Sequence, residues 1–568
     1  MKKGISPVVA TALLLVVAVV AVVSFNTWFT AYESKTLTGV EQNGGSGIPQ
    51  VDSVIGSSLY INNPSTTTLN VTSVKIAGKT CTNSATIASK GITPVNVTSC
   101  VSNLTPGQVY DAVIVTNAGT YSKKFYVKSA SVVSSVSGPS NNGTAIWARR
   151  INSTSTDSGQ SIAVDSSGNV YATGYYNAGP ITLAPGVVLP QSANNDVYVV
   201  KYNSSGTALW ARRINSTGLD YGQGIAVDSS GNVYATGYYN AGPITLVPGV
   251  VLPAPSGSSD AFVVKYNSSG TALWARRINS TGGDYGIKIT VDNSGNSYAT
   301  GYYSNGPVNL GNSVILPLSA GQQDTYLIKY NSSGTPQWAK TIATPIYDYA
   351  QGIGIDGSNY VYIDGYYTNG PTTTGRFIAK YNSNGVNQWI VNTTGVDYAW
   401  GLAVDSSGNS YVAAQYMSGS INLGNSIILP IPTSTDMYVA KYNTNGVAQW
   451  ASRINTSSST IATGLSSDSF GNVYVTGNYQ NGPISLGNGV VLPAVAQGTG
   501  YIIKYNSAGI PQWKSIGTSA SSNSGFGITT DSLGNSYVIG NYQGLTNFGN
   551  GVTLANSGSS DVFIVKYK

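Results

Sequence analysis

The chain has 568 residues, enough for three or four average domains at roughly 150 residues each. It carries 28 basic and 22 acidic side chains, so charged residues make up 9% of it, where about 25% is usual for a soluble domain. There is no His, and there are two Cys, 40 Tyr and 67 Gly; catalysis by a His base, His metal ligation, Cys-only zinc sites and iron–sulfur clusters are therefore excluded. The net charge of +6 is spread thinly and forms no long basic run, so no nucleic-acid partner is expected. Abundant Tyr, Val and Ile argue against disorder. What remains is a β-rich, hydroxyl- and amide-coated chain suited to life outside a cell.

The N-terminus is short and basic, Met1-Lys2-Lys3-Gly4, and is followed by an almost wholly apolar run from Ile5 to Phe25. As a helix that run spans about 31 Å, enough to cross a bilayer core. Trp28 and Tyr32 stand where interfacial anchors are found, and Lys2 and Lys3 hold the basic end inside. The helical pattern extends to about Leu37, and the Gly- and Asn-rich segment 38–49 then reads as a hinge. A secretory signal, a plain anchor and a processed assembly segment all remain open on these features.

The run KKGISPVVATALLLVVAVV resembles the N-terminus of archaeal type IV pilins. The resemblance implies that a prepilin peptidase cuts between Gly4 and Ile5, making residues 1–4 a leader. Residues 5–37 would then stay on the mature subunit as a hydrophobic assembly helix. The bacterial relatives carry Glu at the fifth mature position; here it is Val9, as in the archaeal pattern. The implied partners are the peptidase, the pilus assembly machinery, the membrane before assembly, and further copies of this chain in a helical homopolymer.

Residues 50–137 alternate in short runs such as LNVTSVKI and VYDAVIVTN and predict a small β-sandwich of six or seven strands. In an exported chain Cys81 and Cys100 read as one disulfide, closing a loop of about 20 residues and worth about 3 kcal/mol. The sandwich resembles pilin head domains in pattern rather than in motif. A linker follows at 138–143.

From 144 to 568 one repeat dominates. Lys-Tyr recurs at 201–202, 265–266, 329–330, 380–381, 441–442, 504–505 and 566–567, and Trp recurs at 147, 210, 274, 338, 389, 450 and 513. Each unit holds four strands, as in GIAVD, NVYATGYY, DAFVVKY and TALWARRI of the second, with Gly-bearing turns between. Seven such units predict a seven-bladed β-propeller. The array opens on a lone fourth strand, TAIWARRI, and closes on a lone third strand, DVFIVKYK, so both ends are expected to share the last blade. The pattern G-I-x-V-D-x-x-G-N-x-Y-x-T-G is similar to a bacterial and archaeal β-propeller repeat family. The fourth unit lacks the N-L-G-N-x-V-x-L-P insert and has Gly375-Arg376 where others have Asp, which predicts a shortened loop.

Three Asp series recur at strand ends: 165, 228, 292, 356, 405, 468 and 531; then 196, 260, 324, 436 and 561; then 157, 220, 284, 348 and 397. Asp capping its own turn accounts for them, and calcium is the sharper alternative, though each turn offers only one carboxylate. Arg149-Arg150, Arg212-Arg213 and Arg276-Arg277 on adjacent units would make a basic arc, either paired with local Asp or serving as an attachment patch for acidic glycans or surfaces. The pairs Tyr175-Tyr176, Tyr238-Tyr239 and Tyr302-Tyr303 either stack on sugars or pack the core. Glycosylation sequons begin at Asn70, Asn96, Asn103, Asn142, Asn152, Asn203, Asn215, Asn267, Asn279, Asn331, Asn392 and Asn455.

The expected fold is mainly β: an N-terminal hydrophobic α-helix, a small sandwich and a seven-bladed propeller. The expected function is a non-enzymatic subunit of an archaeal pilus-like surface filament displaying the propeller, without cofactor or metal. The rivals are a monomeric membrane-anchored adhesin and a stalked propeller enzyme.

Overall fold

The computed structural model describes residues 50–55, 58–62, 68–76, 79–81, 85–87, 92–96, 109–117, 119–126, 143–369, 374–393, 397–432, 435–455 and 460–568. Every regular element among them is a β-strand, which corrects the expectation of a fold opening on an α-helix. The physical reason is visible in the described sequence. Short runs of Val, Ile, Tyr and Thr are broken every few residues by Gly, Asn or Pro, leaving no stretch long enough for a stable helix. The segments 1–4, 5–37 and 38–49, Gly4 and Ile5 among them, lie outside the described residues, as do Cys100, Asn103 and Asn142. Among the described residues no helix is long and apolar enough to cross a membrane.

The chain divides into two compact units, Met1–Val136 and Ser137–Lys568. In the first, Gln50–Ile55, Ser58–Asn62 and Ile92–Asn96 form a three-stranded sheet. Lys79–Cys81, Leu69–Ile76, Val109–Thr116 and Gly119–Tyr126 lie side by side in a second sheet, with Ala85–Ile87 also pairing with Leu69–Ile76. Alternation sets the second sheet's buried face: Val74 and Ile76 are buried while Lys75 between them is exposed. Cys81 sits opposite Val74 at the edge of this sheet.

The second unit is seven four-stranded antiparallel sheets, the blades of the propeller. Blade I consists of Asp157–Val164, Val170–Tyr176, Asp196–Tyr202 and Ala208–Ile214, and blades II to VI repeat that order. Blade VII takes three strands from the C-terminal end and its outermost, Ala145–Ile151, from the start of the unit, paired with Asp561–Tyr567. The first strands of successive blades touch one another, and that of blade VII returns to that of blade I, so the ring closes. Blades I, II, III, V and VI insert a two-stranded hairpin between their second and third strands, whereas in blade IV only residues 369–373 separate those strands.

The same turn chemistry builds every blade. In the turn after each first strand, the Asp Oδ1 accepts the backbone N–H groups two and four residues on, and Oδ2 accepts the hydroxyl of the Tyr six residues on. The Gly168 position of that turn has φ +77° and so favours glycine.

The seams between blades are held by Trp on each outermost strand. Its Nε1–H donates to a carbonyl in the turn between the third and fourth strands of the next blade: Trp147 to Ser204, Trp210 to Ser268, Trp274 to Ser332, Trp338 to Ser383, Trp389 to Thr444 and Trp450 to Ser507, at 3.0–3.2 Å. Trp513 breaks the series. Blade VII has no matching turn, because its third strand, Asp561–Tyr567, and its fourth, Ala145–Ile151, are not consecutive in sequence, and among the described residues the buried Trp513 indole N–H has no acceptor. Its ring packs instead where Gly143 leaves space. Trp274→Phe should therefore lower the urea midpoint more than Trp513→Phe, by a margin of about 1 kcal/mol for the extra bond lost; equal losses would show that the indole bond adds nothing.

Candidate functional site

Two features converge at one end of the ring. The first is the central tunnel, a cavity of about 140 Å³ lined by all seven first strands. Ile162, Ile225, Ile289, Ile353, Leu402, Leu465 and Ile528 recur around its wall, one from each blade (a periodicity set by the repeat). Lys288 is the one charged residue in the lining. It occupies the register where blades II, IV, V, VI and VII have glycine, namely Gly224, Gly352, Gly401, Gly464 and Gly527. Burial holds its ammonium down at about 8, against the pull of Asp364.

The second feature is an arc of tyrosines. Tyr221, Tyr285, Tyr349 and Tyr398 are the tyrosines that follow the opening Asp of the first strands in blades II to V; in blades I to IV, Tyr175, Tyr238, Tyr302 and Tyr366 lie near the ends of the second strands. Tyr221 and Tyr238, and likewise Tyr285 and Tyr302, sit opposite each other in register. Their rings run in one chain, 175–221–238–285–302–349–366–398, with centroids 4.8–5.2 Å apart. Pairs within a blade lie at 26–34° between ring planes, and pairs across a seam at 70–82°. All eight are half-buried. Burial and neighbouring phenols raise the hydroxyls of Tyr238, Tyr302 and Tyr366, the last to about 12, so they stay protonated. The pairs expected from sequence thus divide: Tyr175, Tyr238 and Tyr302 join the arc, while Tyr176, Tyr239 and Tyr303 are buried and donate to Pro190, Pro253 and Pro317 carbonyls.

A buried polar network marks blades IV and V. Asp364 stands where blades I, II, III and VI have Thr, and Arg376 where blades I and VII have Val. Arg376 is 1% exposed; its Nη2 donates to Tyr442 Oη at 2.9 Å, its guanidinium lies over the Tyr438 and Tyr442 rings, and its Nε is 3.6 Å from Asp397 Oδ2. Asp364 is fully buried, neither oxygen accepts a hydrogen bond, and burial pushes it up to about 7 despite Arg376 and Lys288. Its Oδ1 occupies the space a Cβ on Gly352 would need. Removing Arg376 alone leaves two buried carboxylates short of a cation. Arg376→Val should cost about 3–5 kcal/mol, and Asp364→Thr with Arg376→Val should recover most of it; chemical denaturation of the three proteins measures both.

The arginine pairs are spread along the seams. Arg149, Arg212 and Arg276 donate from Nε to the carbonyls of Gly206, Gly270 and Gly334 on the next blade at 2.5–2.6 Å and lie over Trp147, Trp210 and Trp274. Arg213 and Arg277 pair with Asp196 and Asp260 at 3.3 and 3.2 Å, and Arg150 donates to the Ala555 carbonyl. The third Asp series is fully buried under hydroxyl caps: Ser153, Ser216 and Ser280 donate to Asp157, Asp220 and Asp284. These serines are the middle residues of the sequons at Asn152, Asn215 and Asn279. Asn392 and Asn455 are exposed at the matching place in later blades, and Asn96 lies on a strand of the first unit. Asn70 is exposed on that unit. Among the described residues no group of three Cys, Asp or Glu is placed to hold a metal.

Three segments, 146–181, 209–244 and 449–478, match the family model described as SBBP, beta-propeller repeat. These are β-propeller repeats. An uncharacterized WD repeat-containing protein of Acanthamoeba polyphaga mimivirus is 27% identical over 76% of this chain, which spans 34% of that protein's length. Solved structures are similar only weakly. A protein of unknown function from Dyadobacter fermentans is 9% identical, with 75% of this chain and 99% of that chain covered and a TM-score of 0.33. The NanB sialidase of Streptococcus pneumoniae is 10% identical, with coverage of 89% and 88% and a TM-score of 0.31. Likenesses at these scores carry nothing for function.

Burial raises Asp157 and Asp348 to about 6 and Asp220 and Asp284 to about 7. Carboxyls raised above their unfolded value of 3.8 bind protons more tightly in the fold, so their stabilising contribution is complete below about pH 4 and is lost as pH climbs through 6 and 7. The melting temperature should fall between about pH 4 and pH 7, and Asp220→Asn with Asp284→Asn should flatten that slope in scanning calorimetry; a melting temperature rising over this window would contradict the assignment.

Proposed function

We propose that this protein is a non-enzymatic subunit of an archaeal type IV pilus-like surface filament, assembled through its apolar N-terminal segment and presenting the propeller to the exterior for adhesion. The observation that carries the reading is the run Lys2-Lys3-Gly4-Ile5-Ser6-Pro7-Val8, in which a basic leader ends on Gly immediately before the apolar segment. The scarcity of charge and the absence of His agree with a display module rather than a reaction site. So does the employment of the first Asp series in holding its own turns. Before assembly the subunit resides in the membrane and is a substrate of the prepilin peptidase.

Glycan attachment belongs to the same reading. In the turns at Asn203, Asn267 and Asn331 the side-chain Oδ1 caps the turn by accepting two backbone N–H groups, and the amide nitrogen is left over. At Asn152 and Asn279 the amide nitrogen is already spent on Ser557 and Ser256 hydroxyls. Modification is therefore expected first at 203, 267 and 331. Peptide mapping by mass spectrometry of surface-extracted protein should find a mature N-terminus at Ile5 and glycan on those three asparagines. A retained Met1 or Lys2 would favour the membrane-anchored monomer instead, and electron microscopy of the same preparation should show filaments.

A further inference from the structure

We infer that the tyrosine arc at the end of the ring where the first strands begin is the binding surface of the propeller, and that its ligand is an uncharged carbohydrate chain. The inference rests on the adhesion reading above and names its ligand.

The placement comes first. Tyr221, Tyr285, Tyr349 and Tyr398 lie two to four residues ahead of the tunnel-lining residues Ile225, Lys288, Gln351 and Trp400 on the same strands. The arc therefore borders one mouth of the tunnel across blades I to V. Beyond it the same registers carry Gln415, Asn478 and Asn541 on the second strands and Ile461, Ser524 and Ser158 on the first. At these registers the side chains are thus phenols, amides and hydroxyls, with one aliphatic and no charge.

The chemistry follows from the ring geometry. Partners within a blade lie nearly face to face, and partners across each seam meet edge to face. Among the described residues none of these eight hydroxyls makes a hydrogen bond, although Tyr176, Tyr239 and Tyr303 beside them all do. A half-buried phenol held rigidly with a free hydroxyl is a donor and an acceptor awaiting a partner, at low entropic cost because its neighbours already fix it. A partner that supplies both donors and acceptors at short intervals beside C–H surface is a sugar chain.

Charge decides against acidic ligands. The described loops at this end, 152–156, 177–180, 215–219, 240–243, 279–283, 304–307 and 343–346, contain no Asp, Glu, Lys or Arg. Asp220, Asp284, Asp348 and Asp397, each next to an arc tyrosine, are fully buried. Lys288 lies inside the tunnel, and of the arginines at the outer margin of this end Arg213 and Arg277 are paired with Asp196 and Asp260 while Arg150 donates to the Ala555 carbonyl, so the arc itself offers a nucleic acid or sulfated glycan no cation, and the turns at Asn203, Asn267 and Asn331 lie at the opposite ends of the blades.

The test uses the full chain in a detergent without sugar headgroups. Immobilised neutral hexasaccharides of glucose, mannose, galactose and xylose are probed alongside heparin. At least one neutral hexasaccharide should bind, with affinity unchanged between about 50 mM and about 500 mM NaCl. Tyr238→Asn with Tyr302→Asn should weaken that binding by more than about tenfold. This variant is expected to fold because blades VI and VII already carry Asn478 and Asn541 at the same register. Tyr221→Phe with Tyr285→Phe keeps the packing and removes only hydroxyls, and it should also weaken binding. Retained binding in both variants, binding of none of the neutral probes, or salt-sensitive binding to heparin alone would each overturn the inference. A filament that binds no neutral probe would leave the display reading standing, whereas a chain that binds one but keeps Met1 would overturn the display reading and leave this inference intact.

Discussion

The ring depends on a single repeated hydrogen bond, from the indole of one blade to a turn carbonyl of the next. A Trp side chain is large enough to fill a wedge between two twisted sheets, and its one polar atom needs a partner when buried. The turn between the third and fourth strands supplies that partner only if its backbone has one conformation, which the Asn cap and the left-handed Gly206 enforce in blade I and their counterparts enforce in later blades. Lys201, Lys265, Lys329 and Lys380 donate to the same carbonyls as the indoles. Each seam is thus a small polar clasp inside an aromatic wedge, and the rest of the blade is constrained to deliver its ends to it.

Most of this architecture was legible in the sequence because it is periodic. The recurrence of Trp, Lys-Tyr and the Asp turn marked seven units, and the lone strands read at 144–151 and 561–568 pointed to where the ring closes. The tyrosine arc was only half legible. Tyr175, Tyr238 and Tyr302 stood out as doublets, but Tyr221, Tyr285, Tyr349 and Tyr398 did not, although each directly follows a buried Asp. Their partners lie in the neighbouring blade or across a strand pair, and a reading of one unit at a time does not join them. The arginine pairs illustrate the opposite limit: their spacing showed that they recur, not that their nitrogens are spent on carbonyls and carboxylates along the seams.

Blade IV shows what departure from the repeat entails. Without the inserted hairpin it carries Asp364 and Arg376 in place of Thr and Val, and it meets Lys288 from blade III and Asp397 from blade V. Two changes of opposite charge, on adjacent strands of one blade, compensate each other inside a low-dielectric seam. Such an exchange is visible in sequence only as two unrelated oddities; the packing makes them one event. A helix at the N-terminal side forms no part of the described fold, and the described strands owe their form to frequent Gly, Asn and Pro.

The sharing of blade VII has a mechanical consequence. On the N-terminal side of the propeller the first element is Ala145–Ile151, an outermost strand bonded along one edge to Asp561–Tyr567. Tension that reaches the propeller from its N-terminal side acts first on that one strand. It is also the strand whose blade meets its neighbour at Trp513 without the indole bond. A pull from that side is therefore borne first by the joint that closes the ring.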